Sequence, residues 1–132
     1  KLMQSKDNAR FGSAAEAWEA IPSEELAPGY EWIEAITFDE LEAKHRIRFD
    51  TLVADCEGAL YYILEDDPDL LTNITTVILE SDFAAAEHKK SVELRLVEYG
   101  LERVYSKALI PNLTELPQNC ADSFWEVWKV KA

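Results

Sequence analysis

The chain has 132 residues, 48% of them hydrophobic and 30% charged, with a formal net charge of −13. This composition is too apolar for a disordered chain, and the acidic surface disfavours nucleic acid as a partner because phosphates repel it. No apolar run reaches the ~20 residues of a membrane helix and no signal peptide opens the sequence, so we expect a soluble protein without a transmembrane segment.

The first 29 residues predict a loosely structured arm. Residues 13–20 fit a short helix that Ser13 would cap. Three residues that break regular structure follow: Pro22, Pro28 and Gly29. The arm could lie on a partner, with Trp18 as a candidate anchor.

Residues 30–132 predict a second region in which strands alternate with helices. The predicted strands are Trp32–Phe38, Thr51–Ala54, Thr75–Leu79, Leu101–Ser106 and Ser123–Val130. The predicted helices are Asp39–His45 with Thr37 or Asp39 as cap, Ala59–Leu64, and a long helix from a cap at Ser81 or Asp82 to Tyr99. Alternation of this kind is typical of an α/β sheet with helices on both faces.

Two details refine this sheet. Thr51–Ala54 is a short and nearly unbroken apolar run, which suits a strand buried on both faces of a parallel sheet. The last two strands have no helix between them, so one of them is expected to run antiparallel. The predicted fold is therefore mostly parallel with an antiparallel C-terminal strand.

Acidic side chains follow two of the predicted strands directly. Asp55 and Glu57 come after the first buried strand, and Glu80 and Asp82 come after the next. Because sites in open α/β sheets form at the carboxyl ends of strands, these four side chains should converge if the strands are neighbours. They could accept a proton from a substrate hydroxyl or hold a hard cation. They could equally be helix caps, and spacing alone leaves both interpretations open.

The run from Phe49 to Ala59 (FDTLVADCEGA) resembles the signature of FkbM-type, S-adenosylmethionine-dependent methyltransferases, an apolar strand that ends in Asp-x-Glu-Gly-Ala. Flanking segments resemble the same family in order and spacing over residues 32–130. They are Ile36–Leu41, Val77–Glu80, Tyr99–Leu101 and Phe124–Trp128. The resemblance implies the C-terminal half of a Rossmann-like class I methyltransferase sheet, whose final hairpin inserts an antiparallel strand.

The resemblance also implies a function, transfer of a methyl group from S-adenosylmethionine to a hydroxyl oxygen of a sugar or natural product. Asp55, Glu57 and Glu80 would then be the catalytic residues. Leu60 departs from the family, which often has a second acid at that position. The chain also lacks the glycine-rich cofactor loop, since no two of its four glycines are close together. We therefore expect it not to bind the cofactor alone, and the alternative is a non-catalytic accessory subunit of a larger assembly.

A missing neighbour of the strand at 51–54 has a physical consequence. In the family fold this strand pairs with the first strand of the sheet, for which the order of segments leaves no room. An apolar strand without that neighbour becomes an open edge. We expect the missing N-terminal half, the N-terminal arm or another protein to cover it.

For the remaining cysteine, histidine, tryptophan and acidic residues, and for the glycosylation triplets, we expect no catalytic role. Cys56 and Cys120 cannot form a disulfide framework and favour a reducing compartment. The two Asn-x-Thr triplets, at Asn73 and Asn112, fit the glycosylation pattern but are expected to be coincidental. His88 is expected on an apolar helix stripe, and Trp125 and Trp128 are expected to pack into the core on opposite faces of a strand. The acidic run 65–69 lacks the glycine of a calcium loop, so no metal site is expected there.

Overall fold

A computed structural model describes residues 2–5, 21–22, 24–109 and 116–132. The chain divides into two compact units, Lys1–Ile47 and Arg48–Ala132. The division expected from sequence, 1–29 and 30–132, lies 18 residues earlier (47 against 29). The predicted helix at 13–20, Trp18 and the second Asn-x-Thr triplet lie outside the described residues.

The first unit contains a small antiparallel sheet and one helix. Strands β1 (Leu2–Ser5), β2 (Ile21–Pro22) and β3 (Tyr30–Ile33) are arranged in the order β2-β1-β3. The strand predicted at Trp32–Phe38 therefore starts earlier and ends at Ile33, because β3 pairs with β1 and Ile33 lies opposite Leu2, the first residue of β1. Two segments of the arm take part in this sheet.

Helix α1 (Phe38–His45) begins one residue before the predicted start at Asp39 and ends at the predicted residue. Thr37 is its N-cap, in extended conformation, and accepts a hydrogen bond from the Glu40 backbone N–H at 3.2 Å. The Glu40 carboxylate in turn accepts from the Thr37 N–H at 2.9 Å, which completes a capping box. These bonds lower the pKa of Glu40, the backbone bond to Thr37 most of all. Thr37, one of the two predicted caps, is thereby confirmed.

The second unit is an α/β layer built on a mixed four-stranded sheet. Its strands are β4 (Thr51–Ala54), β5 (Thr76–Glu80), β6 (Leu101–Lys107) and β7 (Trp125–Val130). Its α-helices are α2 (Leu60–Asp66), α3 (Ala86–Glu98) and the short α4 (Gln118–Asp122), with a 3-10 turn at Leu70–Asn73. The strand order is β4-β5-β7-β6. β4 and β5 are parallel, and β7 is antiparallel to both β5 and β6.

The strand register separates the two faces of this sheet. Ala54, Leu79 and Glu126 lie in one row across β4, β5 and β7, and all three are buried. Helix α3 packs against β6 and against α2 and α4, and it contributes Val92 and Leu96 to the same core. This face is therefore the one that the helices cover.

The opposite face of the sheet is exposed in the described part of the unit. Val53, Ile78 and Tyr105 are 66%, 43% and 51% exposed. The expectation of helices on both faces is wrong for these residues, and so is the expectation that β4 is buried on both faces. The reason is that both helical crossovers, from β4 to β5 and from β5 to β6, lie on the same side of the sheet.

Helix α3 starts later than its sequence predicts. Ser81 and Asp82, the predicted caps, lie outside the helix, and Ala85 is the N-cap without a side-chain hydrogen bond. The Ser81 N–H donates to the Phe124 carbonyl at 2.7 Å, which extends the pairing of β5 with the chain before β7. The helix ends as predicted, since Gly100 follows it with a φ of +81°.

None of the described helices has both the length and the apolar character that crossing a membrane would require.

Candidate functional site

The turn after β4 has an unusual backbone. Glu57 and Gly58 both have positive φ, +53° and +79°. Glycine adopts this conformation without steric penalty, whereas for glutamate it is uncommon. A Cβ at position 58 would lie 3.2 Å from both the Asp82 carbonyl oxygen and the Phe83 Cα. The turn is thus packed closely against the segment that follows β5.

This close approach brings together the four acids that the sequence singled out. We call Asp55, Glu57, Glu80 and Asp82 the acid lip. Burial most of all, then a side-chain hydrogen bond to Asp55 and the charges of Asp55, Asp82 and Glu57, raise the pKa of Glu80 to about 8. The sequence-based expectation that the four side chains converge is therefore confirmed.

Asp82 is the second residue of the acid lip whose pKa is shifted. Burial and then the charge of Glu57 raise its pKa to about 6, although the Gly58 backbone N–H opposes the shift by hydrogen bonding to it. Its Oδ1 atom is buried and has no hydrogen-bond partner among the described residues. A buried acceptor without a partner destabilises the fold. A contribution to stability therefore does not explain why an aspartate occupies position 82.

The acids of the lip are not helix caps. Helix α2 has Ala59 as its N-cap and α3 has Ala85, so no acid of the lip occupies an N-cap position. The structure therefore disfavours the capping interpretation that spacing had left open. Leu60, where the family often has an acid, is 1% exposed and belongs to the core.

The arrangement suits proton transfer. The neighbouring Asp55 carboxyl contributes to the raised pKa of Glu80, so Glu80 stays protonated to a higher pH than an isolated carboxyl group. A group with a pKa near the working pH can both accept and return a proton. No cluster of three or more His, Cys, Asp or Glu among the described residues has the arrangement of a metal site.

A second charged cluster lies between helix α3 and the sheet, on the face that the helices cover. Sequence reasoning missed it. We call Lys89, Glu93, Arg103 and Glu126 the buried ion cluster. Lys89 is 2% exposed and Glu126 is 1% exposed. The Lys89 Nζ donates to Glu126 Oε1, to Ser81 Oγ at 2.8 Å and to the Ser123 carbonyl at 3.1 Å, and lies 3.3 Å from Glu93.

The other members complete this network. Arg103 donates to Glu126 Oε1 at 3.2 Å and to Glu93 Oε1 at 3.2 Å, and the Trp128 indole N–H donates to Glu126 Oε2 at 2.6 Å. Burial by itself would raise the pKa of Glu126, but the hydrogen bond and charge of Lys89 outweigh it and the pKa is lowered. Only one signal in the sequence could have located the cluster. Lys89 falls on the same helical stripe as Val92 and Leu96, where a charge needs a buried partner.

Several single-residue expectations can be compared with the structure. His88 stacks on Tyr61 with ring centroids 3.9 Å apart, which agrees with a structural role. Trp128 is buried as expected, but Trp125 is 43% exposed because its side of the sheet has no helix over it. Cys120 is buried and Cys56 is half-buried, and burial raises the pKa of both thiols. Neither is therefore an activated nucleophile.

Comparison of the chain with known protein families, with curated proteins and with solved structures finds no match to any of them.

Proposed function

We propose that residues 48–132 form the C-terminal half of a class I methyltransferase-like domain, with the acid lip as its proton-accepting site. The single observation that carries the proposal is the strand order β4-β5-β7-β6 with β7 antiparallel. A final hairpin that inserts an antiparallel strand is how the sheet of such enzymes ends, and the resemblance of residues 32–130 implies the same fold.

The position of the acid lip supports this proposal. Asp55 follows β4 directly and Glu80 is the last residue of β5, so both lie at the carboxyl ends of two neighbouring parallel strands. Ligand sites in open α/β sheets form at this end. The sites there are built by loops such as the turn at Glu57 and Gly58, whose backbone is in the left-handed region.

The residues of this chain do not fit S-adenosylmethionine by themselves. No two of the four glycines are close enough to form a loop around a cofactor. The glycine turn after β4 is filled by protein, since the Asp82 carbonyl and Phe83 Cα occupy the space next to Gly58. Residues outside this chain would have to bind the methyl donor.

The chemistry that this chain would supply is movement of a proton. The Glu80 carboxylate, held near Asp55, would accept the proton of a substrate hydroxyl and so leave the oxygen of that hydroxyl more nucleophilic. A pKa of about 8 makes Glu80 a stronger base than an ordinary carboxylate. At the same time the group is largely protonated at neutral pH, so activity would rise from pH 7 to about pH 9.

The test uses the full chain, tagged and purified with whatever it binds in its native cells. The preparation is supplied with methyl-labelled S-adenosylmethionine, and transfer of label to small hydroxyl-containing products is measured. We expect transfer that Glu80→Gln lowers at least tenfold, while Glu87→Gln, at an exposed position on α3, leaves it unchanged. A preparation that transfers label equally well with Glu80→Gln would show that the acid lip is not the base.

A second candidate function is a non-catalytic accessory subunit, which the misfit to S-adenosylmethionine favours. Calorimetric titration of the chain alone with S-adenosylmethionine tests whether the misfit holds. We expect no binding in the micromolar range, and micromolar binding would contradict the misfit. A purified native assembly that contains the chain and transfers no label would favour the accessory role.

A further inference from the structure

Strand β4 has a free edge. Among the described residues it pairs only with β5. The Asp50 carbonyl accepts from the N–H groups of Thr75 and Thr76 at 2.7 and 3.1 Å, so it points towards β5. Because backbone groups alternate along a strand, those of Thr51 and Val53 point away from β5. They present a short row of donors and acceptors to which another strand could pair.

The free edge continues into an exposed apolar row. The register aligns Val53, Ile78, Val127 and Tyr105 across β4, β5, β7 and β6. Three of these side chains are more than 40% exposed, and Val53 on the edge strand is 66% exposed. The rows on either side of it contain polar or charged residues such as Thr76 and Lys129. An apolar centre with a polar rim is typical of a protein–protein interface.

Charge decides what kind of strand fits this edge. Asp50 and Asp55 flank β4, and the rest of the acid lip lies beside Asp55. A second copy pairing antiparallel would place Asp50 opposite Asp55, and a parallel copy would place like acids side by side. Both arrangements are repulsive, and each copy carries a net charge of −13. A strand that ends in lysine or arginine is complementary instead.

We propose that β4 is a docking edge for a partner protein that adds an extended strand beside it, with apolar residues along Thr51–Ala54 and basic residues over the acid lip. The main-chain bonds of Thr51 and Val53 hold the strand, and the basic end selects it. This inference does not depend on methyl transfer, because it rests on the edge, the apolar row and the charges alone.

The experiment uses the full chain and a synthetic peptide of alternating valine and threonine that ends in two lysines. The control peptide has two glutamates in place of the lysines. Amide NMR shifts and hydrogen exchange are measured at Thr51 and Val53. We expect the lysine peptide to bind about tenfold more tightly than the glutamate peptide, to protect both amides, and to lose affinity as salt is raised.

Two variants locate the binding. Val53→Lys should abolish protection, whereas Val97→Lys, a matched change at a 58% exposed position on α3, should not alter it. Equal binding of the two peptides, or full binding to Val53→Lys, would overturn the proposal. So would a dimer, seen by light scattering, that Val53→Lys converts to a monomer, because a second copy would then occupy the edge. None of these readouts involves methyl transfer, so failure here is distinguishable from failure of the proposed function.

Discussion

The second unit holds two clusters of charged side chains that differ in the sign of their charges and in their hydrogen bonding. The buried ion cluster joins opposite charges, and Lys89 and Glu126 within it have several hydrogen-bond partners each. The acid lip gathers charges of one sign, and the Oδ1 atom of Asp82 has no partner. The first arrangement holds α3 to β7, while the second destabilises the fold at neutral pH.

This difference distinguishes charged groups that stabilise the fold from charged groups that suit a functional site. Complementary buried charges shift no pKa into the neutral range, as the lowered pKa of Glu126 illustrates. At the acid lip, burial most of all and then the neighbouring acids raise the pKa values of Glu80 and Asp82 to about 8 and about 6. Perturbed carboxyls of the second kind are typical of sites that move protons.

The largest expected effect comes from breaking the buried ion cluster. Lys89→Met leaves Glu126 buried without its main counter-charge, so we expect a loss of about 3–5 kcal/mol in the free energy of unfolding. The measurement is urea denaturation followed by circular dichroism. The double variant Lys89→Met/Glu126→Leu should recover part of the loss, and a double variant less stable than Lys89→Met would contradict this account.

The next effect tests the close packing behind the acid lip. Gly58→Ala places a Cβ 3.2 Å from the backbone of Asp82 and Phe83 in a left-handed conformation, so we expect a loss of about 2–3 kcal/mol. Gly100→Ala is the matched control, since its φ is also positive but nothing lies within 4 Å. It should lose only about 1 kcal/mol. Equal melting temperatures for the two variants would show that the turn is not tightly packed.

At the acid lip we expect a smaller change in the free energy of unfolding, and one of opposite sign, because the substitution stabilises the fold. The folded-state pKa of Glu80 is raised, so the folded chain holds more protons than the unfolded chain between about pH 4.5 and about pH 8. Stability contributed by this proton is present below that window and is lost as the pH rises through it. Glu80→Gln should therefore stabilise the fold by about 1 kcal/mol at pH 9, because solvent partly screens the incompletely buried carboxylate, and change little near pH 5.

The check is thermal melting as a function of pH, together with carbon NMR titration of the Glu80 carboxyl group. A titration midpoint below about pH 5 would mean that the four acids do not interact as the structure places them.

The smallest effect distinguishes the two cations of the buried ion cluster. Arg103 is 40% exposed at its side chain, and Glu126 keeps Lys89 when Arg103 is removed. We therefore expect Arg103→Met to lose about 0.5–1 kcal/mol in urea denaturation. A loss as large as that of Lys89→Met would show that Arg103, and not Lys89, is the main counter-charge of Glu126.

Local sequence patterns predicted much of the second unit. Thr51–Ala54 is a strand over the predicted residues, and β5, β6 and the end of α3 at Gly100 agree within a residue or two. These elements follow from short-range signals such as β-branched apolar runs and a glycine stop. The start of α3 was predicted too early because Ser81 pairs with Phe124, a contact 43 residues distant in sequence that no local cap signal reveals.

The sequence by itself determined the alternation of strands and helices, a cap at Thr37 or Asp39 for α1 and the presence of acids after β4 and β5. Only the tertiary structure decided that helices cover one face of the second sheet, that Lys89 is buried against Glu126, and that Glu57 and Gly58 turn against Asp82. The physical reason is the distance along the chain over which each interaction acts. Propensities and caps act within a few residues, whereas burial and charge pairing depend on which distant segments the sheet brings together.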